Sequence, residues 1–167
     1  MNENEIFSEV RFEKIPRMRI ARYVIISTNP ENDVIKHMDS WAKESGLLDI
    51  PNWASRKFGW DFPFVSDVQR EKHGLRGYVY CLTIPEEFEP KSHAVEITHI
   101  DEDEYAVLRI KEPFENPFER IPGGWGKLHE YVDKSEYKPT RHENRYWMEE
   151  VIVNGTETYM DIYYPIR

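Results

Sequence analysis

Glu149 and Glu150 follow Tyr146 and Trp147 in a stretch, YWMEEVIV, that is rich in strand-forming residues. Strand alternation sends one carboxylate of the pair to each face, and Trp147, Glu149 and Val151 share a face. That parity makes Glu149 the expected inward carboxylate. A carboxylate among aromatic rings can neutralise a buried cation, while each ring face adds about 0.5–2 kcal/mol of cation–π attraction. Burial also raises a carboxyl pKa toward the range that a general acid or base needs near neutral pH. Cation holding and acid–base chemistry are both open on these residues. A third reading leaves the two glutamates solvated, or paired with Arg145 or a lysine.

Other aromatics are candidates to surround that carboxylate. Tyr78 and Tyr80 alternate with Val79 on a strand and share a face, where a phenol can orient a ligand or donate a proton. Trp53, Phe58, Trp60, Phe62 and Phe64 crowd a stretch punctuated by Pro and Gly, and concave sites are lined mainly by apolar and aromatic side chains. Ordinary core packing explains each of them equally well. Trp41 and Trp125 fall within helical patterns and are expected in the core, with one edge of an indole reaching a cleft. The expected ligand contacts are Glu149, Trp147, Tyr146, Tyr78, Tyr80, Trp60, Phe62 and Trp125, with Glu149 and Tyr80 as the pair to act if the protein is an enzyme.

Several chemistries lack their residues. The six histidines show no metal-ligand spacing, so no metal is expected. IPGGWGKL lacks the Lys-Ser/Thr ending of a phosphate loop, and close packing or a helix kink explains its glycines better. No G-x-S-x-G elbow occurs, Cys81 has no evident base, and no cofactor is expected. The acidic runs IDEDE and PEEFE read as solvated turns.

The elements that would position these residues can be read from pattern. Val10 to Ser27 reads as two short strands with a corner at Pro16. A helix follows, capped by Asn29 or Asn32, with Val34, Ile35, Met38, Trp41 and Ala42 as its apolar stripe and Gly46 as its end. Leu47 to Gly77 reads as a long aromatic loop with a short strand, and Tyr78 to Ile84 as a strand. Two strands, His93 to Ile100 and Tyr105 to Lys111, then flank an acidic turn. Phe118, Ile121, Trp125, Leu128, His129 and Val132 mark a second helix, disturbed early by Pro122, Gly123 and Gly124. A hairpin around Asn154 and Gly155 joins the last two strands. Strand, strand, helix, strand, strand thus occurs twice, which predicts an α+β fold with two main helices on a curved antiparallel sheet.

Composition limits the rest. A chain of 167 residues with 40% hydrophobic content suits one domain, with halves at about 10–90 and 92–167. A net charge of −9 repels phosphates, so direct nucleic-acid binding is not expected. One cysteine, no signal-peptide pattern and no long apolar run point to a cytoplasmic protein without membrane contact.

At this level the chain resembles the GyrI-like, or transcription-activator effector-binding, domain family, from about Val10 to Ile166. The carriers are VRFEKIPRMRIARYV followed by a helix ending WAKESGLLD, then DEYAVLRI with GGWGKLHEYV, and the closing YMDIYYPIR. FGWDFP followed by RGYVYCLTIP adds to the likeness. Val79 stands where an acidic residue often follows Gly-Tyr, and YWMEEV is a variant of the family's Phe-Glu-x-Tyr pattern. The resemblance implies two tandem β-α-β-β units with pseudo-twofold symmetry and a central cleft for a lipophilic, often cationic, molecule. It also implies an alternative, a hydrolase of cyclopropane-type electrophiles. Relatives that regulate transcription carry a DNA-binding region, and the nine residues before Val10 are too few for one. A small-molecule ligand is therefore the expected partner, with a partner regulator or a second copy of the chain left open.

Overall fold

The computed structural model describes residues 2–137 and 146–166, so Arg145 and His142 lie outside the described residues. The elements run α1 (Glu3–Ile6), β1 (Arg11–Ile15), β2 (Met18–Ser27), α2 (Pro30–Glu44), β3 (Lys57–Phe62), α3 (Asp67–His73), β4 (Arg76–Thr83) and β5 (Glu96–Ile100). They continue with β6 (Asp103–Lys111), α4 (Pro117–Lys134), β7 (Met148–Asn154) and β8 (Glu157–Ile166). The twice-repeated order of two strands, one long helix and two strands is present, and the fold is α+β.

Two compact units form, and their membership departs from the sequence halves. A terminal unit holds Met1–Arg17 with Asp101–Arg167, and a central unit holds Met18–Ile100. The terminal sheet runs β1-β6-β8-β7 and the central sheet β5-β2-β4-β3, every pair antiparallel. Each unit is a β-α-β-β motif, β6-α4-β7-β8 or β2-α2-β3-β4, plus one outer strand. That outer strand is exchanged: β1 leads into β2 yet pairs with β6, while β5 leads into β6 yet pairs with β2. Pro16 separates β1 from β2 and supplies no ladder donor at the point where the chain leaves one unit for the other.

In the central unit, α2 starts at Pro30, which needs no N–H in the first turn. Its buried stripe is Pro30, Val34, Met38, Trp41 and Ala42, at spacings of three and four. The stripe packs on Ala21 of β2 and on Tyr78 and Leu82 of β4. The Trp41 indole N–H donates to Ser92 O at 2.9 Å, so this buried ring keeps a polar partner.

The segment 47–77 is more ordered than a loop. It holds a 3-10 turn (Leu47–Asp49), β3 and α3, which Ser66 and Gln69 start with a reciprocal capping box. β3 can pack here because of Gly59. A Cβ at this position would stand 2.2 Å from the Tyr78 hydroxyl oxygen and 2.5 Å from the ring. Tyr78 is 7% exposed and cannot swing clear. Gly59→Ala is therefore predicted to destabilise the chain by about 1–3 kcal/mol, as overpacking does. A thermal melt would show this as a fall of several degrees, and an unchanged midpoint would refute the close approach.

In the terminal unit, α4 runs unbroken through Pro122. The proline removes one bond, to the carbonyl of Phe118 in the first turn, beside a residue that is 93% exposed to water. Gly124 serves packing, because a Cβ there would lie 2.5 Å from Ile110 Cδ1. Leu128 and Val132 of α4 complete a core with Ala106, Leu108, Ile110, Met160, Ile162 and Tyr164.

Candidate functional site

The β7–β8 hairpin sets the site's parity. Its two-residue turn is Gly155–Thr156, with Asn154 opposite Glu157, so Met148 faces Tyr163 and Glu150 faces Asp161. Directly opposed residues share a face. Ile162 and Tyr164 lie on the face that α4 covers, and that face also takes Glu149. Glu150, Met148, Asp161 and Tyr163 lie on the face away from α4, joined across β6 by Tyr105, Val107 and Arg109.

On that second face, Glu150 is 7% exposed and the Tyr163 hydroxyl donates to its Oε1 at 2.5 Å. Tyr163 and Tyr105 are fully buried and meet edge to face, with ring centroids 5.7 Å apart and planes at 90°. One strand-step away, Asp161 is gripped by two arginines. Arg109 donates from Nε to Oδ1 at 2.8 Å and from Nη2 to Oδ2 at 3.0 Å, and Arg11 Nη2 donates to Oδ2 at 2.8 Å. Burial by itself pushes the Asp161 carboxyl up, but the hydrogen bonds and charges of Arg109 and Arg11 outweigh it and hold the group below the usual carboxylate range. The arginines thus settle Asp161 as an anion, beside a second carboxylate anchored by a phenol. Arg109 and Arg11 offset the Asp161 charge, and the face sets the Glu150 carboxylate among aromatic rings. Among the described residues, no group of three or more His, Cys, Asp or Glu could hold a metal ion.

The family profile of the GyrI-like small molecule binding domain matches residues 8–167. The chain belongs to this family.

Solved structures agree with that fold. The GyrI-like chain superposes on the EcmrR C-terminal domain with a TM-score of 0.68 at 12% identity, covering 95% of this chain and 97% of that one. It spans only 58% of the EcmrR chain seen in a complex with DNA, where the TM-score is 0.67, the identity 13% and the coverage of this chain 98%. SAV2435, whose structure holds tetraphenylphosphonium, gives a TM-score of 0.54 at 10% identity, covering 95% of this chain and 94% of that one. A hydrolase from Listeria innocua gives 0.58 at 8% identity, covering 95% and 92%. At such identities the likeness shows the fold alone. No curated protein matches the sequence significantly.

Within the GyrI-like fold, each unit holds part of the residues singled out from sequence. Trp147 is 39% exposed and stacks on Trp125 of α4, with centroids 5.9 Å apart and planes 23° apart. Its ring also lies 4.5 Å from that of Tyr164, whose hydroxyl is 3.2 Å from His129 Nδ1. Glu149 is half-buried on this α4 side, together with Val151, as alternation requires. Tyr146 is half-buried just before β7. The enclosed member of the carboxylate pair is Glu150, where sequence parity favoured Glu149. Alternation separates two neighbours but does not say which side is enclosed.

The central unit divides its candidates in the same way. Tyr78 and Tyr80 face α2 and its core, whereas Trp60, opposite Val79, and Phe62 point to the other face. β3 and β4 pair with these aromatics out of phase, so the two pairs lie on opposite faces of the strands. Tyr80 is held above the usual phenol range, mainly by burial and also by the Asp39 charge, so its hydroxyl stays protonated and is a donor. Phe62 packs edge-on against Phe64 at 5.2 Å. The Trp53 indole N–H bonds Ser55 Oγ at 3.0 Å and Thr83 O at 3.1 Å. Tyr105, Asp161 and Tyr163 were not singled out from the sequence: a turn at Asn154-Gly155 sets Glu150 opposite Tyr159, and the observed turn one residue later sets it opposite Asp161, with Tyr163 on the diagonal.

Proposed function

We propose that this domain binds a small lipophilic organic cation on the terminal unit's face away from α4, with Glu150 as the neutralising carboxylate. The observation that carries the reading is the enclosed Glu150 carboxylate held by the Tyr163 hydroxyl beside the Tyr105 ring. A carboxylate already withdrawn from water attracts an organic cation more strongly than a surface one, because less solvent screens the pair. Aromatic faces add attraction for a cation that they do not offer a neutral molecule of the same shape. Tetraphenylphosphonium, the ligand held by SAV2435, is such a cation and fits this chemistry. Since Glu150 is 7% exposed, neighbouring side chains must move aside for a ligand to reach it. Sensing or sequestration needs nothing further from the chain. A charge of −9 supports a role away from direct contact with nucleic acid.

The test is calorimetric and fluorescence titration with tetraphenylphosphonium against triphenylphosphine oxide, an uncharged aromatic comparator. The expected result is saturable binding and thermal stabilisation by the cation, with clearly weaker binding of the comparator. Equal affinity for both would remove the charge-based reading. Mass spectrometry of the recovered ligand is expected to return it intact. Turnover of a neutral cyclopropane-type electrophile in the same assay would move the assignment to the hydrolytic alternative.

A further inference from the structure

Equivalent strands of the two units differ at one edge. In the terminal unit β6 is paired on both sides. β8 covers one edge from Glu104 to Lys111, and β1 takes the other opposite Asp103–Val107. The chain just before β1 then continues along that outer edge. Phe7 bridges Ile110, Ser8 N–H donates to Arg109 O at 2.9 Å, and Arg109 N–H donates to Ser8 Oγ at 2.8 Å. In the central unit the counterpart, β2, pairs with β4 from Ile20 to Ser27, but β5 covers its other edge only as far as Arg22. Among the described residues, none pairs with the outer backbone edge of Tyr23–Ser27.

The segment that would extend β5 along this edge is drawn onto α2 instead. Lys91 N–H donates to Ser45 O at 3.0 Å, Trp41 Nε1–H to Ser92 O at 2.9 Å, and the His37 Nε2–H to Ala94 O at 2.8 Å. A notch of about 510 Å3 opens between the strand and the departing segment, bounded by Arg22, Tyr23 and Val24 on one side, by His93–Glu96 on the other and by His37 of α2, with Arg22 and Glu96 paired at its end. The exposed edge reads Tyr-Val-Ile-Ile-Ser, with Tyr23 37% and Ile26 41% exposed. It carries none of the lysines or prolines with which free strand edges are usually kept from pairing.

We propose that this edge is where two copies of the chain associate, β2 pairing antiparallel with β2 of the second copy across a twofold axis. A twofold interface sets a strand against its own copy, so a charge near the axis lies close to its like. Tyr23–Ser27 has none, in a chain whose net charge of −9 makes most of its surface repel a second copy. An acidic or basic peptide would find no charge in this edge to recognise. The filled counterpart in the terminal unit shows that the motif accepts added backbone at this position.

Sedimentation of the full chain across a wide concentration range tests the assignment. A dimer that dissociates on dilution and tightens with added salt is expected, because salt screens the repulsion between copies. Ile26→Lys, which sets lysine near its own copy, should abolish the dimer while the thermal midpoint of the monomer is kept. Phe118→Lys, at a 93% exposed position on α4, should leave it intact. Amide hydrogen exchange provides a readout that needs no variant: amides of Tyr23–Ser27 should gain protection as concentration rises. A wild-type chain that stays monomeric, a dimer that survives Ile26→Lys, or edge amides indifferent to concentration would each overturn it.

Discussion

Glu150→Gln is expected to weaken tetraphenylphosphonium binding about tenfold to a hundredfold, equivalent to about 1.4–2.7 kcal/mol. Glutamine keeps an oxygen that can accept the Tyr163 hydroxyl hydrogen bond, so the local geometry survives while the charge is removed. The loss should therefore fall on the cation and leave the uncharged comparator nearly unchanged. Glu149→Gln is the matched control, one residue away on the opposite face of β7, where the half-buried side chain accompanies Trp147 and Val151. Titration of both variants separates the two carboxylates. A large loss with Glu149→Gln and none with Glu150→Gln would return the role to the residue that sequence parity favours. A loss of both ligands in parallel would mean that the substitution disturbed the face and not its charge.

The second large effect concerns stability and its pH dependence. Asp161 is 1% exposed and held by Arg11 and Arg109, which are 42% and 39% exposed. Removing both arginines by Arg11→Ala with Arg109→Ala strands a buried carboxylate, and losing the partner of a buried charge costs about 3–5 kcal/mol. For a chain of this size each kcal/mol moves the midpoint by about 2–4 °C. In the wild type the Asp161 carboxyl titrates below its ordinary range in the fold, so the unfolded state binds more protons in acid. Its contribution is therefore fully present above about pH 4, near the ordinary aspartate pKa, and is lost as pH falls through the folded value. In the double variant only burial remains and pushes the group up. The sign of this contribution should then reverse, so that mild acid stabilises the variant relative to neutral pH. Asp161→Asn removes the titration and serves as the baseline for both. Denaturant melts from pH 2.5 to 7, taken as differences from that baseline, would measure it, and parallel curves for wild type and double variant would dismiss the clamp.

Particular elements show how far the sequence reached. The α2 stripe was legible because burial at spacings of three and four is a local property, and Val34, Met38, Trp41 and Ala42 are buried as read. β3 and α3 were not, because what permits them is non-local: Gly59 lies under Tyr78, and the aromatics there resemble loop content until a partner strand is known. The exchange of β1 and β5 between units could not be read either. Each leads directly into the strand that its sequence suggests as a partner, and only the competition among all edges assigns it elsewhere.

The sequence by itself determined the α+β class, the twofold repeat of element order, the two main helices and the family, all of which rest on local periodicity and motif order. Tertiary structure decided which carboxylate is enclosed, which tyrosines face a helix, and which strand edge stays unpaired among the described residues. The physical reason is that a strand's alternation fixes only relative parity. Glu149 and Glu150 must diverge whatever the fold, but which of them loses its water depends on what packs on each face of the sheet, and it is Glu150 that stands with the buried Tyr105 and Tyr163.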